Sequence, residues 1–384
     1  MKKRLYPVML LCLLPLLTAC QKAPDEVTVD INTDNNVEQG NKDIKYDALE
    51  NIYKTIYQVR NTVYDNLEFT TDFTINMPES IGLLRLKQTE HFFKRNPNIL
   101  DQFVDNINPD VKIVTDGFYP PALEYQDIKG KESFSAGDNG FFYHENEKYD
   151  TWLKIKNNDL GDFTLYDTIY LQINASNQTF QWENNVITLD SIVEKGTSYG
   201  NELSLSYNDM DWIPQEVKVY QYKNGEFFFE VAYTKAYHEV LLFYNDWGNN
   251  TNARKEPYVH FYQPYVVLDS NLEVISTNNL TGIIEYMDTK EPYDEIITLE
   301  YATNALSTLL SSYRKYEIQW ISLEYRLVYE TDDGSNENVR NTAFPGKIYE
   351  TRPCWTFYLK SNSNIPAFAT VDCVTGYIEF VSKD

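Results

Sequence analysis

The segment from Ile296 to the end of the chain constrains the fold most. Leu299, Ala302, Leu306, Leu309 and Leu310 recur at helical spacing, which predicts a helix over Ile296 to Tyr313 with one apolar side. Tyr316 to Tyr329 follows as one long strand rich in aromatic and branched residues, and the polar stretch Glu330 to Asn341, with Asp333-Gly334, reads as a loop. Cys354 to Lys360 and Ala367 to Val371 form a predicted hairpin around Ser361-Asn362-Ser363-Asn364-Ile365-Pro366, and Gly376 introduces a last strand, Tyr377 to Val381. A helix that leads into an antiparallel meander is an α+β unit.

Upstream, Leu49, Ile52, Tyr53, Ile56 and Tyr57 place an apolar stripe on a helix from about Asp47 to Tyr64. Leu67 to Ile75 alternates as a strand and stops before Pro78. A second helix is expected over Ser80 to Lys94 and a short one over Ile99 to Val104, punctuated by Asn96-Pro97 and Asn108-Pro109. Beyond Val111 the chain breaks into short aromatic runs divided by Asn, Gly and Asp, the pattern of a sheet with many turns. Its strongest strands are Glu226 to Tyr233, Val240 to Tyr244 and Tyr258 to Leu268. The fold class expected is α+β, with antiparallel-sheet domains and packed helices.

In the last segment, Pro353-Cys354-Trp355-Thr356-Phe357-Tyr358 leads to Ala367-Phe368-Ala369-Thr370-Val371-Asp372-Cys373-Val374-Thr375-Gly376-Tyr377-Ile378. This arrangement resembles a PepSY-type domain and the extracytoplasmic domains of the YycH and YycI regulatory proteins, over about residues 290–384. The turn has a physical basis: Asp372 can accept hydrogen bonds from following amides, and Gly376 tolerates positive φ. A degenerate second copy is expected where Phe261-Tyr262-Gln263-Pro264-Tyr265-Val266-Val267-Leu268-Asp269 leads to Leu272-Glu273-Val274-Ile275, although the Thr-Gly turn is missing. The resemblance implies a noncatalytic extracytoplasmic module associated with protease inhibition, sensor regulation or envelope interactions. It supplies no catalytic residue.

The other end decides the compartment. Met1-Lys2-Lys3-Arg4 precedes an apolar run from Leu5 to Leu17 that is short for a bilayer span, and Leu17-Thr18-Ala19-Cys20 closes it. The last four residues resemble the lipobox of bacterial lipoproteins, which implies cleavage before Cys20 and diacylglycerol on its thiol. Each buried methylene contributes about 0.8 kcal/mol, so two or more chains make a durable anchor. Gln21 to about Asn41 has too little apolar surface to offset ordering entropy and reads as a flexible tether. Its oxygen ligands resemble a calcium loop only faintly, with Asn35 and Asn41 where Gly and Glu belong. The expected organisation is 1–19 signal peptide, 20–41 lipidated cysteine and tether, 42–200 an N-terminal α+β domain, 201–290 a sheet-rich region with the degenerate copy, and 291–384 the PepSY-like domain.

Charge excludes one class of partner. The 384 residues carry 57 Asp and Glu against 33 Lys and Arg, a formal −24. Cleavage removes three more positive charges, so the phosphate backbone of nucleic acid is a poor partner and an anionic lipid surface repels the body as a whole.

Little else in the chain has the spacing of a catalytic or metal site, and no cofactor is expected. Pairing Lys360 with Ala367 would set Cys354 directly opposite Cys373, within reach of a disulfide; two half-buried thiols are the alternative. Gly196-Thr197-Ser198-Tyr199-Gly200 matches the pattern of a serine nucleophile elbow, but Asp190 to Lys195 is no apolar strand and Asn201 to Tyr207 reads as a strand where a helix is required. His91, His144, His238 and His260 lack close metal spacing, and His238-Glu239 has no second histidine after it. Asp209 and Asp211 beside Trp212 fit either a sugar cleft or a solvated turn. Two function classes follow: a membrane-anchored binding or regulatory lipoprotein held by lipid on Cys20, with an envelope protein or peptide as partner, or a cell-surface hydrolase acting on glycan or peptide.

Overall fold

Val186-Ile187-Thr188-Leu189-Asp190 and Ile296-Ile297-Thr298-Leu299-Glu300 echo one another, and in the computed structural model both open a helix followed by a meander. The structure describes residues 44–88, 112–114, 122–126, 132–137, 142–146, 163–171, 178–204, 211–237, 240–242, 258–259, 263–278, 284–310, 314–329, 348–360 and 367–381. The signal peptide, Cys20, the tether, the Ile99 to Val104 helix and the Glu330 to Asn341 loop lie outside them.

In chain order the elements begin with β1 (Tyr46–Asp47), α1 (Leu49–Asn61), β2 (Leu67–Asn76) and β3 (Gly82–Gln88). Then come β4 (Lys112–Val114), β5 (Ala122–Gln126), β6 (Glu132–Gly137), β7 (Phe142–Asn146) and β8 (Phe163–Tyr170). The first repeated unit follows, with β9 (Thr179–Trp182), β10 (Asn185–Thr188), α2 (Leu189–Ser204), β11 (Asp211–Tyr222), β12 (Phe227–Tyr237), β13 (Val240–Leu241), β15 (Tyr265–Asp269) and β16 (Val274–Asn278), while β14 (Tyr258–Val259), between β13 and β15 in sequence, joins the other sheet. After β17 (Ile284–Pro292) come β18 (Ile296–Ile297), α3 (Leu299–Leu309), β19 (Tyr316–Tyr329), β20 (Ile348–Leu359), β21 (Ala367–Asp372) and β22 (Ile378–Val381).

The repeated threonines start both helices. Thr188 Oγ1 accepts from the Ser191 amide at 3.1 Å while Ser191 Oγ accepts from the Thr188 amide at 3.2 Å, and Thr298 Oγ1 accepts from the Tyr301 amide at 3.2 Å. Each bond occupies an amide that the first turn leaves without a helical partner. Leu189 and Ile192 of α2 then pack on Val217, Val219, Phe229, Val231, Val266 and Leu268. Leu299, Ala302 and Leu306 of α3 pack on Ile321, Leu323, Trp355, Phe357, Ala369 and Val371. Strands pair consecutively as β11-β12-β15-β16 in one unit and β19-β20-β21-β22 in the other.

The third strand of each meander ends in an aspartate turn. Asp372 Oδ1 accepts from the amides of Val374 (2.8 Å) and Thr375 (2.9 Å), with Gly376 at φ 75°. Asp269 Oδ1 accepts from Asn271 (2.8 Å) and Glu273 (2.9 Å), and here Leu272 takes φ 60°. One turn uses glycine for the left-handed position; the other places leucine there.

Both sheets are wider than their meanders. The first extends to ten strands in the order β4-β5-β6-β7-β16-β15-β12-β11-β8, with β13 on β12. The second has eight, in which β2 runs parallel to β19, β3 pairs with β20 and β17, and β14 pairs with the far end of β19. Residues 44–88 therefore complete the sheet of the last segment, with α1 beside α3.

Several expectations change. The sheets do not follow the divisions at 200 and 290: α2 packs on β11, β12 and β15, and β2, β3 and β14 belong with β19 to β22. The Ser80 to Lys94 helix is replaced over Gly82–Gln88 by a strand, because Leu84 and Leu86 are buried with period two while Leu83, Arg85 and Lys87 alternate with them. The α1 helix is shorter than expected: β1 precedes it, Asp47 Oδ1 accepting from the Ala48 amide at 2.8 Å. Tyr258 to Leu268 divides into β14 and β15, which join different sheets.

Candidate functional site

The two faces of the last meander differ sharply. Beyond an irregularity between Ile318 and Trp320, the odd residues Ile321, Leu323, Tyr325 and Leu327 of β19 face the helices. The even ones, Trp320, Ser322, Glu324 and Arg326, share the opposite face with Thr356 and Tyr358 of β20, Thr370 and Asp372 of β21, and Glu379 of β22. All of these except Tyr358 are buried to 4% exposure or less, so the second face is a polar layer removed from water.

Its charges are held by one another. Arg326 forms an ion pair with Glu379 and donates to Thr370 Oγ1 at 2.9 Å, and Arg352 lies 3.4 Å from Asp372. On the first sheet, Lys218 lies 3.1 Å from Glu216 and 3.3 Å from Glu230, all on the face opposite α2. Glu324 has a different partner: the Tyr358 hydroxyl donates toward both of its carboxylate oxygens, at 2.8 and 3.0 Å. Burial is the main cause that pushes Glu324 up to about 7, opposed by bonds from hydroxyls and, more weakly, by Arg326.

The two sheets meet at this layer. The Tyr358 ring stacks on Trp320 with centroids 3.8 Å apart and an interplanar angle of 11°, and the Tyr170 ring of β8 lies 4.6 Å from Trp320. Burial, Glu324, Glu216 and Tyr170 all push the Tyr358 hydroxyl well above its ordinary value, so it stays a donor. A second link runs along the sheet edge, where Leu242 bridges to Tyr325 and the Thr234 hydroxyl donates to the Leu242 carbonyl. This arrangement fixes one unit on the other and places a carboxyl that titrates near neutrality in their interface.

The residues singled out for chemistry are elsewhere. Ser198 is exposed within α2, not at a strand-to-helix elbow, and the expected strand from Asn201 to Tyr207 begins inside that helix. Gly196 serves packing: a Cβ there would come within 2.6 Å of the Tyr233 hydroxyl. Asp211 and Trp212 begin β11, and the Lys235 ammonium lies 5.0 Å from the Trp212 ring. His144 lies on β7, opposite Thr277 and Phe134. Asp209, His91, His238 and His260 lie outside the described residues. Among the described residues, no group of three or more His, Cys, Asp or Glu could hold a metal ion, and no helix is long and apolar enough to cross a membrane.

Cys354 and Cys373 are buried thiols outside any disulfide. The hairpin register is shifted by one from the expected pairing: Leu359 faces Ala367 and Cys354 faces Asp372. The apolar pattern selects this register, since it lines up Trp355, Phe357 and Leu359 with Val371, Ala369 and Ala367 on the core face. Cys373 then joins that core, while Cys354 packs with Val328 and Tyr377 on the other side.

Sequence reasoning missed the polar layer. Its signal was present as alternation: Ser322, Glu324 and Arg326 interleave with Ile321, Leu323 and Tyr325, which also describes a strand with one wet face.

No protein-family model matches the chain, and no curated protein matches it. Among solved structures it is similar to the Bacillus megaterium YpeB C-terminal domain, at 12% identity and a TM-score of 0.35, over 76% of this chain and 97% of that one. The likeness is distant, and no residue role is carried over from it.

Proposed function

We propose that the chain is a lipid-anchored binding or regulatory protein of the outer face of a bacterial membrane, without catalytic chemistry of its own. The observation that carries this reading is the lipobox-like Leu17-Thr18-Ala19-Cys20 after a basic, apolar leader. It would give the chain an address and an attachment ahead of the first described element. The likeness of the last unit to PepSY-type and YycH or YycI domains supports a regulatory role. The polar layer fits it too: its ion pairs are made within each sheet, and the Tyr170–Trp320 ring contact and the Leu242–Tyr325 bridge join the units, which leaves their outer surfaces for a partner.

Mass spectrometry of the protein from membranes tests the anchor. The expected result is an N-terminal Cys20 carrying diacylglycerol, with Cys20→Ala leaving the protein unlipidated and free of the membrane. An unmodified Cys20 in a processed, membrane-associated chain would overturn it. Crosslinking in intact membranes is expected to capture one recurring envelope protein or peptide; release of reducing ends or new amines from cell-wall material by the purified protein would favour a hydrolase instead.

A further inference from the structure

Nine large hydrophobic side chains are exposed among the described residues, and five of them, Ile44, Tyr46, Tyr53, Tyr57 and Val63, fall in one short stretch. Val374 is a sixth at the same place, because its carbonyl accepts from the Tyr46 hydroxyl at 3.0 Å. Two of the three tyrosines, Tyr46 and Tyr53, turn their hydroxyls onto backbone carbonyls of the protein. Tyr53 donates inward to the carbonyls of Met77 (2.6 Å) and Pro78 (2.7 Å), so its polar end is engaged with the protein and the ring is left partly exposed. Tyr57, one turn further along α1, is 59% exposed. Pinned rings lose little conformational freedom on contact with another apolar phase.

Charge singles out the same stretch. Between Ile44 and Val63 the basic residues Lys45, Lys54 and Arg60 outnumber the acidic Asp47 and Glu50, in a chain of net charge −24. At 100° per residue, Arg60 and Lys54 lie on either side of Tyr53 and Tyr57, with the exposed Glu50 between Tyr57 and Lys54 and the Arg60 guanidinium 5.8 Å from the Phe73 ring centre. Aromatic rings flanked by Lys and Arg suit the boundary between lipid headgroups and acyl chains.

Attachment supplies the third argument. Only residues 21–43 separate Cys20 from Ile44. A coil of that length, as the composition of the segment predicts, has an end-to-end distance of roughly 25–30 Å. A weak surface contact then competes only with nearby solvent, and millimolar effective concentration makes it count.

We infer that the outer side of α1, with Tyr46 and Val374 beside it, is a membrane-apposed surface that rests on anionic phospholipid and turns the acidic remainder of the body away from the bilayer. This rests on the anchored reading above. Net repulsion of the whole body and attraction at one face act together here as an orienting torque.

The test uses the full processed chain with Cys20→Ser, so that no lipid is attached. It is mixed with vesicles of phosphatidylglycerol and phosphatidylcholine, or phosphatidylcholine alone, at millimolar lipid and low salt. The expected result is partition into the anionic vesicles only, weakened by salt, and lowered about tenfold in the double variant Tyr57→Ser, Lys54→Glu. Both positions are exposed, and an unchanged thermal unfolding curve would show that the variant keeps its fold. Equal partition of variant and parent, equal binding to neutral vesicles, or no partition at all would overturn the surface. Lipid on Cys20 is measured separately on native protein, so a chain that is lipidated yet does not partition refutes the surface and leaves the anchor standing, while partition without lipidation does the reverse.

Discussion

Glu324 is the residue whose environment has the clearest consequence. Its folded value of about 7 lies above the ordinary 4.5, so the folded chain holds a proton that the unfolded chain releases. Below about pH 4.5 both states are protonated and burial of this group carries no ionic penalty. As pH rises toward 7 stability falls, and above that the loss is constant at about 3 kcal/mol. Glu324→Gln keeps an acceptor for Tyr358 and removes this proton. Urea unfolding at pH 5, 6.5 and 8 is therefore expected to show the variant gaining on the parent across that range by about this amount; parallel behaviour of the two would contradict it. The cysteines give a second test at this scale. With Cys20 lipidated or replaced by serine, two thiols should titrate in denaturant without reductant and neither in the native protein, since burial pushes the Cys373 thiol far up. The sequence brought Cys354 and Cys373 near one another but misjudged their faces, because a single-residue slip in a hairpin reverses every side chain while leaving the same segments paired.

Elements were legible where one period dominated. The Tyr316 to Tyr329 strand and the aspartate turn at Asp372 stand as the residues predict. Ser80 to Lys94 failed because Leu83, Leu84 and Leu86 satisfy helical and strand spacing about equally, and pairing with β17 and β20 decides the matter from far away in sequence. The α2 helix was obscured by Gly196 and Gly200, which lower helix propensity, although Ile187-Thr188-Leu189-Asp190 carried the same opening as the helix near the end of the chain. Gly196 is explained by close approach to β12. Gly196→Ala should lose about 1–3 kcal/mol of stability in chemical unfolding, and Tyr233→Phe should recover part of that loss by removing the hydroxyl that the new methyl meets. Additive effects of the two changes would refute the contact. Thr188→Ala and Thr298→Ala should each cost about 1 kcal/mol, the ordinary weight of an N-cap.

At the scale of the whole molecule, the expected chain of successive domains gives way to an interleaved one. The last meander takes β2 and β3 from the other end of the chain, and the meander built on α2 lies between them in sequence. Pairings of this kind cannot be read from local periodicity, since β2 and β19 are each ordinary strands and only their common edge joins them. The proposed anchor at Cys20 precedes, by residues 21–43, the unit to which α1, β2 and β3 belong. Hydrogen exchange on the intact protein under native conditions tests this interleaved architecture most directly. The account predicts that β2 and β3 share one opening free energy with β19, β20 and β21, and that deleting residues 44–88 abolishes protection throughout the last meander. Full protection of residues 291–384 in that truncated protein would contradict it.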